Sequence, residues 1–312
     1  MTNIKKLGLT ALAGSLVATS AYAGELAVSG TAKLTYASQH DTETTGNPYS
    51  MSKGIGFSGS GDLDNGMAIA YQYTMTDAAF SSSSLKLDMG DTGTLSFSNG
   101  AGTTGISAYD DKMPTAGEEV WDDLDGQANG VATISNKGTI GYAGSFGPVG
   151  VSASYNKDDK ASPTTTAGSS HSLVVSMSPA DGVSAFIGTG DKSGSTANNG
   201  TDMYTAGVTY TAGAFTLGFQ TTDIDVSAVN GDTDRNHLAA SFAVNENMSI
   251  SYGMSTVGFE DPAKVDQEDA GVAVSYTMGS MTLGAFRNTS DDVGGTASAE
   301  DSVTEVSLAF AF

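Results

Sequence analysis

The sequence predicts an all-β fold: a 16-stranded antiparallel transmembrane β-barrel with short turns at one end and long loops at the other. Three observations lead there. Apolar and small polar residues alternate with period two over most of the chain, and no segment carries a 3.6-residue apolar stripe. Short Gly/Asn/Asp turns alternate with long, mostly acidic connections. The composition is that of neither a disordered chain nor an ordinary soluble protein. Among 312 residues there are 40 glycines and only 15% charged residues, against a usual ~25%.

The first 23 residues read as an export signal. Lys5 and Lys6 precede an apolar run from Leu7 to Ala18, too short for the ~20 residues that span a bilayer as a helix. Ala21-Tyr22-Ala23 is an A-x-A cleavage site, so the mature chain is expected to begin at Gly24 and to form the barrel over 24–312. Removing Lys5 and Lys6 leaves 11 basic groups against 35 acidic ones.

The strand pattern starts directly afterwards. Leu26, Val28, Gly30, Ala32, Leu34 and Tyr36 share one face, while Ser29, Thr31, Lys33 and Thr35 share the other. Met67, Ile69, Tyr71, Tyr73 and Met75 alternate with Ala68, Ala70, Gln72 and Thr74. The pattern returns at Phe215–Phe219, Leu238–Val244, Met248–Met254, Val272–Met278 and finally Val306, Leu308, Phe310, Phe312. Seven short turns fall near 62–66, 90–93, 147–150, 179–182, 211–214, 245–247 and 279–280. Eight longer connections fall near 38–50, 76–83, 98–130, 156–170, 190–201, 222–235, 257–269 and 288–301. Fifteen connections join sixteen strands. The stretch 131–140 reads as either loop or strand.

One face carries Leu, Val, Ile, Phe, Tyr and Met; the other carries Ser, Thr, Gly and Ala. Sixteen strands closed in a ring enclose a lumen too wide for side chains to fill. The small polar face then meets water inside and the large apolar face meets lipid outside, an arrangement in which closure pairs every backbone group. Aromatics near strand ends fit interfacial girdles: Phe146, Tyr210, Phe215 and Tyr276 by the short turns, Tyr36, Tyr73, Tyr155 and Phe219 by the loops.

Several classes are excluded or disfavoured. Without cysteine there is no disulfide framework and no thiolate metal site. Thirteen basic residues against 35 acidic ones do not make a nucleic-acid footprint. His40, His171 and His237 lie in or beside different long loops, and no G-x-S-x-G, HExxH or P-loop occurs, so no enzyme is expected. A β-solenoid would need glycine-aspartate nonapeptides, which are absent.

The export signal, the opening GELAVSGTAKLTY, a long loop in the first half and the ending Ser307-Leu308-Ala309-Phe310-Ala311-Phe312 resemble the general diffusion porins of Gram-negative bacteria, particularly the alphaproteobacterial type. That resemblance implies an outer-membrane channel for ions and small hydrophilic solutes, reached by the Sec route, assembled as a homotrimer and surrounded by outer-membrane lipid and lipopolysaccharide. It implies that Phe312, with Phe310 on the same face, is the signal for the barrel-assembly machinery. It implies also that the third long loop folds into the barrel and narrows it. The alternative is a structural or adhesin-type barrel with acidic surface loops and no significant conductance.

The third loop stands out independently. Turns elsewhere recur about every thirty residues, but the surplus over Asn99–Gly130 far exceeds an ordinary connection. It carries Asp110, Asp111, Glu118, Glu119, Asp122, Asp123 and Asp125 against the single cation Lys112, with Pro114 and the sole tryptophan, Trp121. These carboxylates are expected to line a constriction, with Lys33, Lys86 and Gln72 on the facing wall. A solvated external loop is the other reading. The family's arginine cluster on that wall has no match: the two arginines, Arg235 and Arg287, fall towards loop ends. No cofactor is expected. Calcium could be held by rim carboxylates such as Asp158, Asp159, Asp291 and Asp292, although no EF-hand spacing completes a ligand set; a solvated anionic rim is the alternative.

Overall fold

The computed structural model describes residues 26–39, 46–100, 103–110, 112–121, 123–126, 130–131, 137–157, 168–193 and 200–312. The expected cleavage site at Ala23 and Gly24 lies outside the described residues. Sixteen antiparallel strands form one closed barrel in which each strand pairs with its neighbours in sequence and the last pairs with the first.

The strands are β1 Ala27–Gln39, β2 Tyr49–Asp62, β3 Ala68–Thr76, β4 Ala79–Asp88, β5 Thr94–Asn99, β6 Lys137–Phe146, β7 Val149–Lys157 and β8 Ser169–Ala180. They continue as β9 Val183–Ser193, β10 Thr201–Ala212, β11 Phe215–Val226, β12 Thr233–Asn245, β13 Met248–Phe259, β14 Gln267–Met278, β15 Met281–Asp291 and β16 Glu300–Ala311. Closure runs from Thr31 opposite Ala311 to Gln39 opposite Val303. It is extended by a reciprocal pair in which the Gly30 N–H donates to the Phe312 carbonyl at 3.1 Å and the Phe312 N–H to the Gly30 carbonyl at 2.9 Å. Phe312 therefore seals the ring by its backbone, while the residue as a whole, 79% exposed, stays on the outer surface.

The alternation decides which side is which. Leu34, Met51, Ile55, Leu85, Phe97, Ile140, Tyr155, Ile187, Leu238, Tyr252 and Val306 are all exposed and all on the outer face. Facing pairs on the inner side are polar and mostly small, as in Ser58 opposite Gln72 and Ser84 opposite Ser98. In hydrocarbon an unpaired backbone N–H or C=O costs several kcal/mol, so the continuous ladder is what permits the placement.

Two differences from the sequence reading have physical causes. The connection expected over 76–83 is a two-residue turn, Asp77-Ala78, with φ of 50° and 68°. Such a pair of positive φ values matches the twist of a tight hairpin, and Asp tolerates the left-handed region. Asp77 is also tied to β2, accepting from the Lys53 N–H at 3.2 Å and pairing with its ammonium at 3.3 Å. Elsewhere the strands run further than expected: β11 continues to Val226, so Phe219 sits near its middle, and β15 reaches Asp291. Beyond the lipid band the outward residues are polar, as at Asp223, Asp225 and Asp291, so pairing continues after the apolar-outward pattern has gone. The ambiguous stretch resolves from Lys137 onward into β6.

The turn at Ala78 supplies a test. Val is strained by a positive φ and Gly is not, so Ala78→Val should unfold more easily than Ala78→Gly by about 1–2 kcal/mol. The temperature at which the compact band on a denaturing gel converts to the extended one should order the variants accordingly.

Candidate functional site: the loop-lined lumen

The inner wall divides into two halves. Over β1–β5 its inward side chains are Thr31, Lys33, Ser58, Ser60, Gln72, Ser84, Lys86, Ser96 and their neighbours, with little to fill the space. From β7 to β16 the inner wall is covered by the segment between β5 and β6.

That segment enters at Gly105, where φ is +66°. The Gly105 N–H donates to Ser152 Oγ of β7 at 2.8 Å and the Ile106 N–H to Ser172 Oγ of β8 at 2.9 Å. A Cβ on Gly105 would fall 2.0 Å from Ser172 Oγ and 2.4 Å from Ser154 Oγ, so glycine is required twice over. Ile106 is fully buried against Val174, Phe186, Met203 and Ile224, with Val131 closing the same cluster. A patch of apolar wall inside a wet barrel is thereby removed from water by the loop.

The chain then reaches the remaining strands, though not in their order around the ring. Gln220 Nε2 of β11 donates to the Tyr109 carbonyl at 3.1 Å, and Thr222 Oγ1 donates to the Gly130 carbonyl. Met113 and Pro114 lie over Gly218, and Val120 lies over Gly253 and Gly271, where a Cβ would come within 2.9 Å of its Cγ1. Trp121 packs against His237 of β12 with ring centroids 4.2 Å apart and the planes tilted by 50°. The Ala116 N–H donates to Ser251 Oγ of β13 at 2.8 Å, Asn288 Nδ2 of β15 to the Glu119 carbonyl at 2.9 Å, and the Asp125 N–H to Asp301 Oδ2 of β16 at 2.6 Å. The wall's side chains thus replace the partners that an irregular backbone lacks. Open space remains beside the loop, including about 740 Å³ bounded by Tyr109 and Lys112 of the loop and by Ser145, Ser152, Ser176, Ser184 and Thr209 of β6–β10.

The candidate carboxylates occupy different places. Asp110 accepts from the Val131 N–H at 2.8 Å and so clasps the two limbs of the loop. Glu118 extends to Lys33 at 3.6 Å, and Lys33 also meets Glu305 of β16 at 2.8 Å. Glu119 is half-buried; Asp123 and Asp125 are exposed. Asp111 and Asp122 lie outside the described residues, as do Asp158 and Asp159. Lys86 and Gln72 share a hollow of about 350 Å³ with Ser58, Ser60 and Ser84. Lys33 therefore does not face the loop across a gap; it joins the loop to the wall.

Sequence reasoning missed several members of the site. Glu305 alternates inward on the last strand, between Val303 and Ser307, so its facing was readable. Arg235 does not sit at a loop end: it is inward on β12, opposite Thr222 and Val257, and within Coulombic reach of Asp110. His237 is likewise on the wall beneath Trp121, not in a loop. Inward glycines at 218, 253 and 271 mark where another backbone approaches the sheet. At the rim, Asp291 is exposed at the end of β15, and Asp292 shapes its loop, accepting from the Ser298 N–H at 2.6 Å. Among the described residues no group of three or more His, Asp or Glu side chains is arranged to hold a metal ion.

A family model described as Gram-negative porin matches residues 8–308. Among solved structures, a mutant of Rh. blastica porin superposes with a TM-score of 0.64 at 14% identity, covering 92% of this chain and all of the other. OmpT, an outer membrane protein of Vibrio cholerae, superposes with a TM-score of 0.67 at 13% identity, covering 92% of this chain and 97% of the other. At these identities the likeness is one of fold. No curated protein matches the sequence.

The root of the loop can be tested alone. Gly105→Ala should push the loop off Ser154 and Ser172 and detach Ile106 from its cluster, with every barrel strand unchanged in sequence. The heat-modifiable band should persist, while single-channel current becomes larger or noisier than in the unmodified protein.

Proposed function

The chain belongs to the Gram-negative porin family, and from that membership we propose that it is a general diffusion channel of the outer membrane that admits small hydrophilic solutes and prefers cations. The observation that carries the preference is the ion-pair geometry at Lys33. Its ammonium lies 2.8 Å from Glu305 and 3.6 Å from Glu118, so one wall cation answers two carboxylates. That leaves Asp123 and Asp125 exposed on the loop with Lys112, and Lys86 is the second inward cation of β1–β5. Fixed charge of one sign in a narrow wet passage concentrates its counter-ions. Screening over about 8 Å at physiological salt gives these near charges more weight than the distant rim. Assembly as a homotrimer is part of the same proposal and rests on the family resemblance.

Uncharged solutes would pass by size. The serine-lined half offers hydroxyls that exchange for water without strong binding, which suits diffusion without selection of one substrate. Family members are channel proteins.

Reversal potentials in planar bilayers under a KCl gradient test the proposal. The unmodified channel should be cation-selective, and the selectivity should fall as salt rises. Replacing Glu118 by Gln together with Asp123 by Asn should reduce it, whereas Lys86→Gln should increase it. A neutral or anion-selective channel would overturn the assignment of the constriction charges. A barrel that inserts without conducting would favour the structural or adhesin reading instead.

A further inference from the structure

Arg287 takes no part in the channel. It stands on the outer face of β15, exposed, with Val272 beside it on β14 and Thr304 beside it on β16. Its Nη1 donates to Thr304 Oγ1 at 2.9 Å, which engages one of the five N–H donors of the guanidinium. The same row continues from Thr304 to Ser38, next to Tyr36, whose ring meets Tyr49 at 5.4 Å. An aromatic pair of this kind marks the membrane interface. A lipid-facing arginine costs roughly 2–4 kcal/mol at the bilayer midplane and close to nothing at that level.

Below Arg287 the outer face is grooved. One row runs Ala240, Tyr252, Val272, Arg287 across β12–β15, and the next runs Phe242, Ile250, Val274, Ala285. The small side chains of Ala240 and Ala285 leave a trough of about 660 Å³ between the larger ones. Its walls are apolar and its head is cationic. Elsewhere on the outer face of β10–β16 the described charges are acidic: Asp202, Asp223, Asp225, Asp234, Glu268, Asp291 and Glu300. Among the described residues of that sector, Arg287 is the one outward cation.

We propose that this face binds an anionic, phosphate-bearing acyl lipid, with its phosphate on the Arg287 guanidinium and a chain along the trough between Ala240 and Ala285. Charge complementarity selects this occupant. A planar guanidinium matches phosphate oxygens two at a time, and the surrounding carboxylates would repel the same headgroup anywhere else on this side. The inference rests on the barrel's place in the membrane and is independent of the channel's ion selectivity.

Native mass spectrometry of the detergent-solubilised protein with equal amounts of phosphatidylglycerol and phosphatidylcholine provides the test. The unmodified protein should retain phosphatidylglycerol preferentially. Arg287→Gln should reduce that preference about fivefold, the effect of one cation near a membrane surface, and Arg287→Lys should keep most of it. Single-channel conductance of Arg287→Gln should be unchanged, which separates this site from the lumen. Ala285→Trp should fill the trough and lower retention of both lipids. Equal retention of the two lipids by the unmodified protein would overturn the proposal. So would displacement of bound lipid by glycerol phosphate, which would make this a site for free phosphate. Disulfide cross-linking between copies bearing Ala240→Cys in membranes would also overturn it, by showing that a second copy covers the face.

Discussion

Backbone hydrogen bonding in a medium without water is the constraint from which the rest follows. A sheet that spans lipid must close on itself, and with sixteen strands closure produces a lumen that its own inward side chains do not fill. The reciprocal bonds between Gly30 and Phe312 complete that ring. The open interior creates a second requirement, since a long irregular segment can enter it only where its own backbone groups find partners. Ser152, Ser172, Gln220, Thr222, Ser251, Asn288 and Asp301, from six different strands, supply them.

The seat for the loop is made as much by what is missing as by what is present. Gly218, Gly253 and Gly271 let Met113, Pro114 and Val120 reach the sheet, and Ile106 fills an apolar patch that would otherwise face water. Apolar contact at the root and hydrogen bonds along the path divide the task. The first anchors and the second sets the register. The consequence for function is an asymmetric passage, bounded on one side by a loop with exposed carboxylates and on the other by a hydroxyl wall with Lys86.

The lipid band was legible in the sequence because burial there is decided residue by residue, with period two. Val272, Val274 and Tyr276 show it as plainly in the sequence as in the barrel. The strand ends were less legible. At Asn288–Asp291 both faces are polar, and at Thr221–Val226 the alternation inverts, with Asp223 and Asp225 outward and Ile224 and Val226 inward, so neither stretch carries the apolar-outward pattern of the lipid band. Loop 3 announced itself by length and charge, but its path depends on partners far away in the chain, such as Asn288 with Glu119 and Asp301 with Asp125. For the same reason the charge balance was only half readable: Lys33 was visible as an inward cation, whereas its pairing with both Glu118 and Glu305 needed the closed ring.

The claim on which the functional account depends is that the loop lies against the inner wall while the channel conducts. The chain has no cysteine, so a pair introduced at Ala116→Cys and Ser251→Cys, where the loop amide now sits 2.8 Å from the serine hydroxyl, reports on that contact alone. Oxidation of the folded double variant in bilayers should form an intramolecular disulfide and leave single-channel conductance where it was in the reduced form. Failure to cross-link in a folded, conducting barrel, or a conductance that changes when the bond forms, would contradict the account.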